Sequence, residues 1–325
     1  RGVVLTHSSE SSAAGSSGNR PRRDHHHNRA VAQSPNQEQI SRDEGALRQA
    51  EIATRKLATS HYENFLVASV LLPRRIRQSF YNVYAFCRTA DDLADESPSP
   101  EVALQELERF QHQLDLAFEG CPEEPLFIAL ESTVRKHRIP KQPFDDLLDA
   151  FRQDQSRNRY ESFEELTDYC SRSANPVGRI VLHLGDSFTE ENGDLSDRIC
   201  TGLQLANFWQ DVARDFAIGR IYLPRDEMCR FGVNEAMFGQ SVTAEPLRRL
   251  LASECDRAES LFREGLPLAE GVSPWLSSDV KLFAHGGLQT LRAIRRIDYD
   301  VLGSRPTVGK LHQAGLVFRA FVGWL

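Results

Sequence analysis

Aspartates four positions apart on a helix stack one above the other, and this chain carries two such sets. YAFCRTADDLADE (84–96) holds Asp91, Asp92 and Asp95, and LQLANFWQDVARDFAIGRIYLP (203–224) holds Asn207, Asp211 and Asp215. Helical spacing aligns Val83, Cys87, Asp91 and Asp95 in one row and Ile199, Leu203, Asn207, Asp211 and Asp215 in another. Each row begins apolar and ends acidic, a break in binary pattern of the kind that marks functional sites. Carboxylates drawn toward a core need a cation. Hard oxygen donors suit magnesium, which is usually held by a few carboxylates together with substrate phosphates, so the pattern points to a diphosphate and to its metal-assisted departure. Arg88, just before Asp91, and Arg220 with Tyr222, after the second row, are candidates to hold the same anion. The carbocation left behind requires a dry apolar pocket with aromatic faces. Phe65, Phe86, Phe208 and Trp209 are candidates for its wall, ordinary core packing being the competing account of each. For the acids the competing account is a solvated charged face, which two rows with apolar residues directly above them argue against.

These residues need helices to position them, and helical periodicity dominates from residue 43 onward: about 43–58, 61–71, 74–95, 100–118, 124–137, 141–157, 163–187, 193–216, 244–267, 274–303 and 307–324. Pro73, the Ser97-Pro98-Ser99-Pro100 run and Ile139-Pro140 punctuate them, and Gly219 to Gly232 reads as an irregular stretch. No alternating hairpin series occurs. The expected fold is all-α: one domain, 43–325, with long antiparallel helices around a central cavity. Residues 1–42 are rich in Ser, Gly, Arg, Asn and His without apolar periodicity and read as a disordered segment, His25, His26 and His27 included.

The 325 residues are 40% hydrophobic, with a formal net charge of -7, which opposes a nucleic-acid surface. Six scattered cysteines show no zinc-like spacing, so a reducing, cytoplasmic setting is expected. No apolar run is long enough to span a bilayer; Ala314 to Leu325 reads as a last core helix or a segment leaning on a membrane interface. The absence of Glu-x-x-His pairs argues against a di-iron bundle, and of a Gly-x-Gly turn against a dinucleotide fold.

Three motifs in order, YAFCRTADDLADE (84–96), YESFEELTDYCSRSANPVGR (160–179) and LQLANFWQDVARDFAIGRIYLP (203–224), resemble the squalene and phytoene synthases, all-α isoprenoid synthases, over residues 50 to about 310. The forms HYENF (61–65), SANPVG (173–178) and NFWQD (207–211) are most similar to the hydroxysqualene synthase branch of hopanoid biosynthesis. The resemblance implies that Arg88, Asp91, Asp95, Asn207, Asp211 and Asp215 form the Mg2+ and diphosphate site, with Gln204 and Arg220 around it. It implies Tyr169 beside a cyclopropyl intermediate, Ala174 and Gly178 where the isoprenoid chain passes close to the backbone, and Phe65 at the pocket.

Departures from the family pattern carry information of their own. Glu63 stands where condensing relatives often have lysine, Gln210 where arginine usually precedes the aspartate, and Asn175-Pro176 where Gly and a bulkier residue are common. These changes suit an enzyme that takes preformed presqualene diphosphate, ionises it and lets water capture the cation, giving hydroxysqualene without NADPH. A squalene or phytoene synthase condensing two prenyl diphosphates is the alternative; an inactive assembly protein is a second, opposed by the retained aspartates. The resemblance also implies a functional link to the enzyme supplying presqualene diphosphate, and the hydrophobic product allows loose peripheral membrane association.

Overall fold

The computed structural model describes residues 35–60 and 72–306. Expectations for 1–34, for the 61–71 helix with Phe65, and for the closing segment from 307 fall outside the described residues. Contacts divide the chain into Arg1–Ser41 and Arg42–Leu325, and the description concerns the second unit.

The order is α1 (Pro35–Ser60), α2 (Arg74–Asp95), α3 (Pro100–Phe118), α4 (Pro125–His137), α5 (Gln142–Asp154), α6 (Phe163–Ser173), α7 (Asn175–Leu184), α8 (Glu190–Gln210), α9 (Val212–Ala217), α10 (Arg225–Phe231), α11 (Glu245–Gly265) and α12 (Pro274–Arg296), with 3-10 turns at Glu235–Gly239 and Leu266–Glu270. No strand occurs among the described residues, so the all-α expectation holds. Local chemistry fixes several starts. Ser99 caps α3 by accepting from Val102 N at 3.4 Å, with Pro100 in the first turn where its missing N–H costs nothing. Ser162 caps α6 by accepting from Glu165 N at 3.2 Å, while the Glu165 carboxylate accepts from Glu161 N at 2.6 Å.

Two long helices expected from periodicity are each broken in two. The 163–187 pattern breaks at Ala174, whose neighbour Asn175 precedes Pro176 in the first turn of α7. The 193–216 pattern breaks at Asp211, which leaves helical geometry at φ -105 and caps α8. Asp215 therefore sits on a separate short helix, although Asp211 N still donates to Asn207 O and Asp215 N to Asp211 O, each at 2.9 Å, so the four-residue backbone bonding runs on through the break. The stretch 219–232, expected to be irregular, contains α10 between Pro224 and Gly232 (φ 73).

One core layer forms where α2, α3, α4 and α5 meet. Phe86 lies at its centre, 5.1 Å from the rings of both Phe110 and Phe144 and edge-on to Phe127 at 6.4 Å. Phe86 is thus core, not pocket wall. A buried polar network sets the register of α2: Thr54 Oγ1 donates to Asn82 Oδ1 at 2.6 Å, and Asn82 Nδ2 donates to Thr133 Oγ1 at 3.0 Å and to the Ala129 carbonyl at 3.1 Å. Misplacing any member would leave a buried polar group unsatisfied, so α2 and the acids at its end are pinned against α1 and α4.

The second layer centres on α8, which packs most extensively against α11. Phe262 of α11, wholly buried, fits into space left by two glycines: a Cβ on Gly202 would lie 3.2 Å from its ring and one on Gly287 only 2.1 Å. Gly287→Ala is therefore expected to destabilise the protein by about 1–3 kcal/mol in thermal or denaturant melts. Gly286→Ala, whose added carbon meets nothing within 4 Å, should leave the midpoint unchanged or raise it.

Candidate active site

A cavity of about 290 Å3 opens between the end of α2, the inner face of α5, α6, α8 and the turn after α9. Asp91, Asp95, Gln204 and Arg220 supply polar groups, Leu147, Ala150, Phe151, Tyr169 and Tyr222 supply most of the wall, and Asp154 and Ser173 join them. Six residues singled out from sequence alone, Asp91, Asp95, Tyr169, Gln204, Arg220 and Tyr222, thus share one hollow.

Arg220 owes its place to the end of α9. Gly219, at φ 82, adopts the left-handed conformation that closes the helix, with Gly219 N donating to Phe216 O at 2.9 Å and Arg220 N to Asp215 O at 2.8 Å. The chain then runs beside 158–161, Ile221 N donating to Asn158 O at 3.0 Å and Arg225 N to Tyr160 O at 3.0 Å. This course brings the Arg220 guanidinium 3.8 Å from Asp95 and within the field of Asp154 and Asp215. It also stacks Tyr222 on Phe208, ring centroids 3.7 Å apart, with Tyr160 at 5.8 Å and Tyr169 at 6.3 Å from Tyr222.

The acids are under strain from burial and from each other. Burial raises the Asp91 carboxyl, with the charge of Asp95 adding to it and Arg88 opposing. Arg88 is committed along α2, pairing with Asp91 at 3.3 Å, with Asp92, and with Glu96 at 3.8 Å. Burial and then the charge of Asp211 push Asp215 up to about 6, against Arg220 and Arg214. Asp215, Arg220 and Tyr222 also border a tight void with Phe208 and Trp209. Asp211 itself is engaged by Arg305, whose Nε and Nη2 donate to its two carboxylate oxygens at 2.6 and 3.0 Å.

The four aspartates do not gather round one point. Among the described residues no three His, Cys, Asp or Glu side chains form a metal-binding cluster, and Arg220 is the group that reaches from Asp95 to Asp215. The donor set of Asp91 and Asp95 nonetheless fits a magnesium ion that takes its remaining ligands from water and substrate phosphate, since two carboxylates four apart offer hard oxygens and burial and the charge of Asp95 raise Asp91. Asn207 is exposed, and Ala174 joins α6 to α7 beside the cavity residue Ser173. Gly178 has a packing reason to be small: an added Cβ would lie 2.3 Å from Ser196 Oγ and 2.6 Å from Cys200 Sγ, both on α8. Two of the departures have partners too. Gln210 Nε2 donates to the Pro306 carbonyl at 2.7 Å, and Asn175 Oδ1 accepts from Thr201 at 2.9 Å.

Sequence reasoning missed Asp154, on whose Oδ2 the Tyr169 hydroxyl donates a 3.0 Å hydrogen bond. Burial pushes its carboxyl up to about 6, against that hydrogen bond and Arg220. The signal was present, because Leu147, Phe151 and Asp154 form another apolar row ending in an acid. Arg305 was missed as well, with no local signal to reveal it.

The squalene/phytoene synthase family model matches residues 58–312. The chain belongs to that family. It is 32% identical to a phytoene synthase of Arthrospira platensis over 271 residues, covering 78% of this chain and 86% of the relative. It is 35% identical to a hydroxysqualene synthase of Rhodopseudomonas palustris over 220 residues, 67% of this chain and 74% of that protein. The crystal structure of squalene synthase HpnC from Alicyclobacillus acidocaldarius superposes with a TM-score of 0.76 at 42% identity, covering 78% of this chain and 96% of that one. The protein is accordingly an isoprenoid synthase of the head-to-head type, acting on prenyl diphosphates.

The raised carboxyl of Asp215 has a measurable cost. Its stabilising contribution is full below the unfolded value of about 4 and is lost as pH rises through about 6, so the ionised group weakens the fold above that. Asp215→Asn should raise the melting temperature by about 2–4 °C at pH 8 in metal-free buffer, the gain disappearing by pH 4.

Proposed function

We propose that the protein converts presqualene diphosphate into hydroxysqualene, a hopanoid precursor, with Mg2+ and without NADPH. The observation that carries this reading is that one cavity combines two kinds of surface: the polar groups of Asp91, Asp95, Gln204 and Arg220, and the aromatic faces of Tyr169 and Tyr222 with Leu147, Ala150 and Phe151. An ionised diphosphate and a hydrocarbon cation need both kinds of surface. Sequence supports the branch, through SANPVG and NFWQD and the likeness to the hydroxysqualene synthase and to HpnC.

Asp91 and Asp95 would hold the magnesium, and Asp211 and Asp215 are the candidates for a second position. When bound, the metal supplies charge neutralisation for the departing diphosphate. Arg220 offers the same anion a fork of N–H donors, and Gln204 an amide. As the carbon–oxygen bond opens, the faces of Tyr169 and Tyr222 lie along the pocket to meet positive charge, while Leu147, Ala150 and Phe151 keep bulk water from it. Loose association with a membrane surface, and with the enzyme that makes presqualene diphosphate, would handle so apolar a substrate and product; no helix among the described residues is long and apolar enough to cross a bilayer.

The likeness to phytoene synthases supports a second reading, condensation of two prenyl diphosphates from the start. Incubation with presqualene diphosphate or with farnesyl diphosphate, each with Mg2+ and no NADPH, separates the two. Hydroxysqualene from the first substrate and nothing from the second is expected; squalene or phytoene from farnesyl diphosphate alone would overturn the proposal. Asp91→Ala should lower kcat by about 100- to 1000-fold with an unchanged circular dichroism spectrum, a loss of the size seen when preorganised charge stabilisation is removed.

A further inference from the structure

Asp154 has no part in binding diphosphate as argued above, yet it is bonded directly to an aromatic residue of the cavity wall. It closes the inner row of α5 and accepts the Tyr169 hydroxyl at 3.0 Å, and both residues line the hollow. The groups facing it are Asp91 and Asp95 from α2, Tyr169 from α6, and Arg220 from the turn after α9, with Tyr160 and Tyr222 beside Tyr169. Because the Tyr169 proton is given to Asp154, the phenol oxygen keeps its lone pairs for other partners. A water that donates to that oxygen can turn its own lone pair toward a cation in the cavity.

We propose that Asp154 is the positioning residue for Tyr169 and the terminus of a two-residue relay that removes the proton from the water capturing the carbocation. Resting on the function proposed above, the step balances without an oxidant or reductant. The water oxygen supplies the electron pair of the new C–O bond. The oxonium so formed loses one proton to the Tyr169 oxygen as Tyr169 passes its own proton to Asp154 Oδ2. Cation, water and carboxylate become alcohol and carboxylic acid, and Asp154 later returns the proton to solvent through the cavity mouth. Its burial suits the task, since a carboxyl held up to about 6 takes a proton near neutral pH more readily than an ordinary aspartate. The same hydrogen bond keeps the phenol itself from donating its proton elsewhere.

The test uses the full chain with presqualene diphosphate and Mg2+, reading diphosphate release and the yield of alcohol relative to hydrocarbon separately. Asp154→Asn retains an acceptor for the Tyr169 hydroxyl and cannot take up the proton. Diphosphate release should stay within a few-fold of wild type while alcohol formation falls by about 100-fold or more. Tyr169→Phe should give the same loss, and the double variant no greater one, because both residues serve one path. Alcohol at the wild-type rate from Asp154→Asn, or losses that multiply in the double variant, would overturn the relay alone. No alcohol from the wild type would remove the proposed function, and the relay with it. Should Asp154→Asn fail to fold by circular dichroism, Asp154→Glu keeps the proton acceptor and Tyr169→Phe breaks the link: alcohol retained by the first and lost by the second is expected, and equal yields overturn the relay.

Discussion

Arg220 holds the acidic end of this cavity together. Its guanidinium stands 3.8 Å from Asp95 and offsets the charge of Asp154 and Asp215, so carboxylates from α2, α5 and α9 coexist around one cation. Without it the partly buried Asp154 and Asp215 would lose the positive charge that opposes the rise of their carboxyls, a change that favours protonation. Arg220 in turn depends on a backbone turn: the left-handed Gly219 lets the chain reverse at the end of α9 and present the side chain inward. A glycine on the surface thus sets the electrostatics of the interior.

The rest of the architecture holds surfaces at fixed distances from that cation. The α1, α2 and α4 polar network fixes where Asp91 and Asp95 emerge, and the Phe262 contact with Gly202 and Gly287 fixes how closely α8 approaches α11 and α12. Since α8 carries Gln204 and ends at Asp211, a shift in that packing would move the second acidic segment against the first. Close-packed interiors transmit such shifts instead of absorbing them.

Much of this was legible in the residues. Helices α2 and α3 start where Pro73, and Ser99 with Pro100, place them, because caps and prolines act locally. The first acidic row led to the cavity, which Asp91 and Asp95 border with Arg220 and Tyr169, whereas Asn207, Asp211 and Asp215 do not line it. What escaped was non-local or short. The break at Asp211 has neither Gly nor Pro to announce it; the acid is gripped by Arg305, from beyond α12, and its peptide N–H remains bonded to Asn207 O at 2.9 Å. Helix α10 is only 7 residues long, too few for periodicity to rise above noise. Asp154 was readable by the logic applied to the other two rows, and its importance shows only once Tyr169 from another helix reaches it.

The contacts of Arg305 and Pro306 bear on how the molecule is tied. Arg305 grips Asp211 through both oxygens while Gln210 holds the Pro306 carbonyl, so three hydrogen bonds fasten the polypeptide that leaves α12 to the hinge between α8 and α9. Whatever pulls on that segment is felt first at Asp211. The segment that leaves α12 is thus moored to the junction of α8 and α9, and severing the polypeptide before residue 305 would leave Asp211 without its clamp.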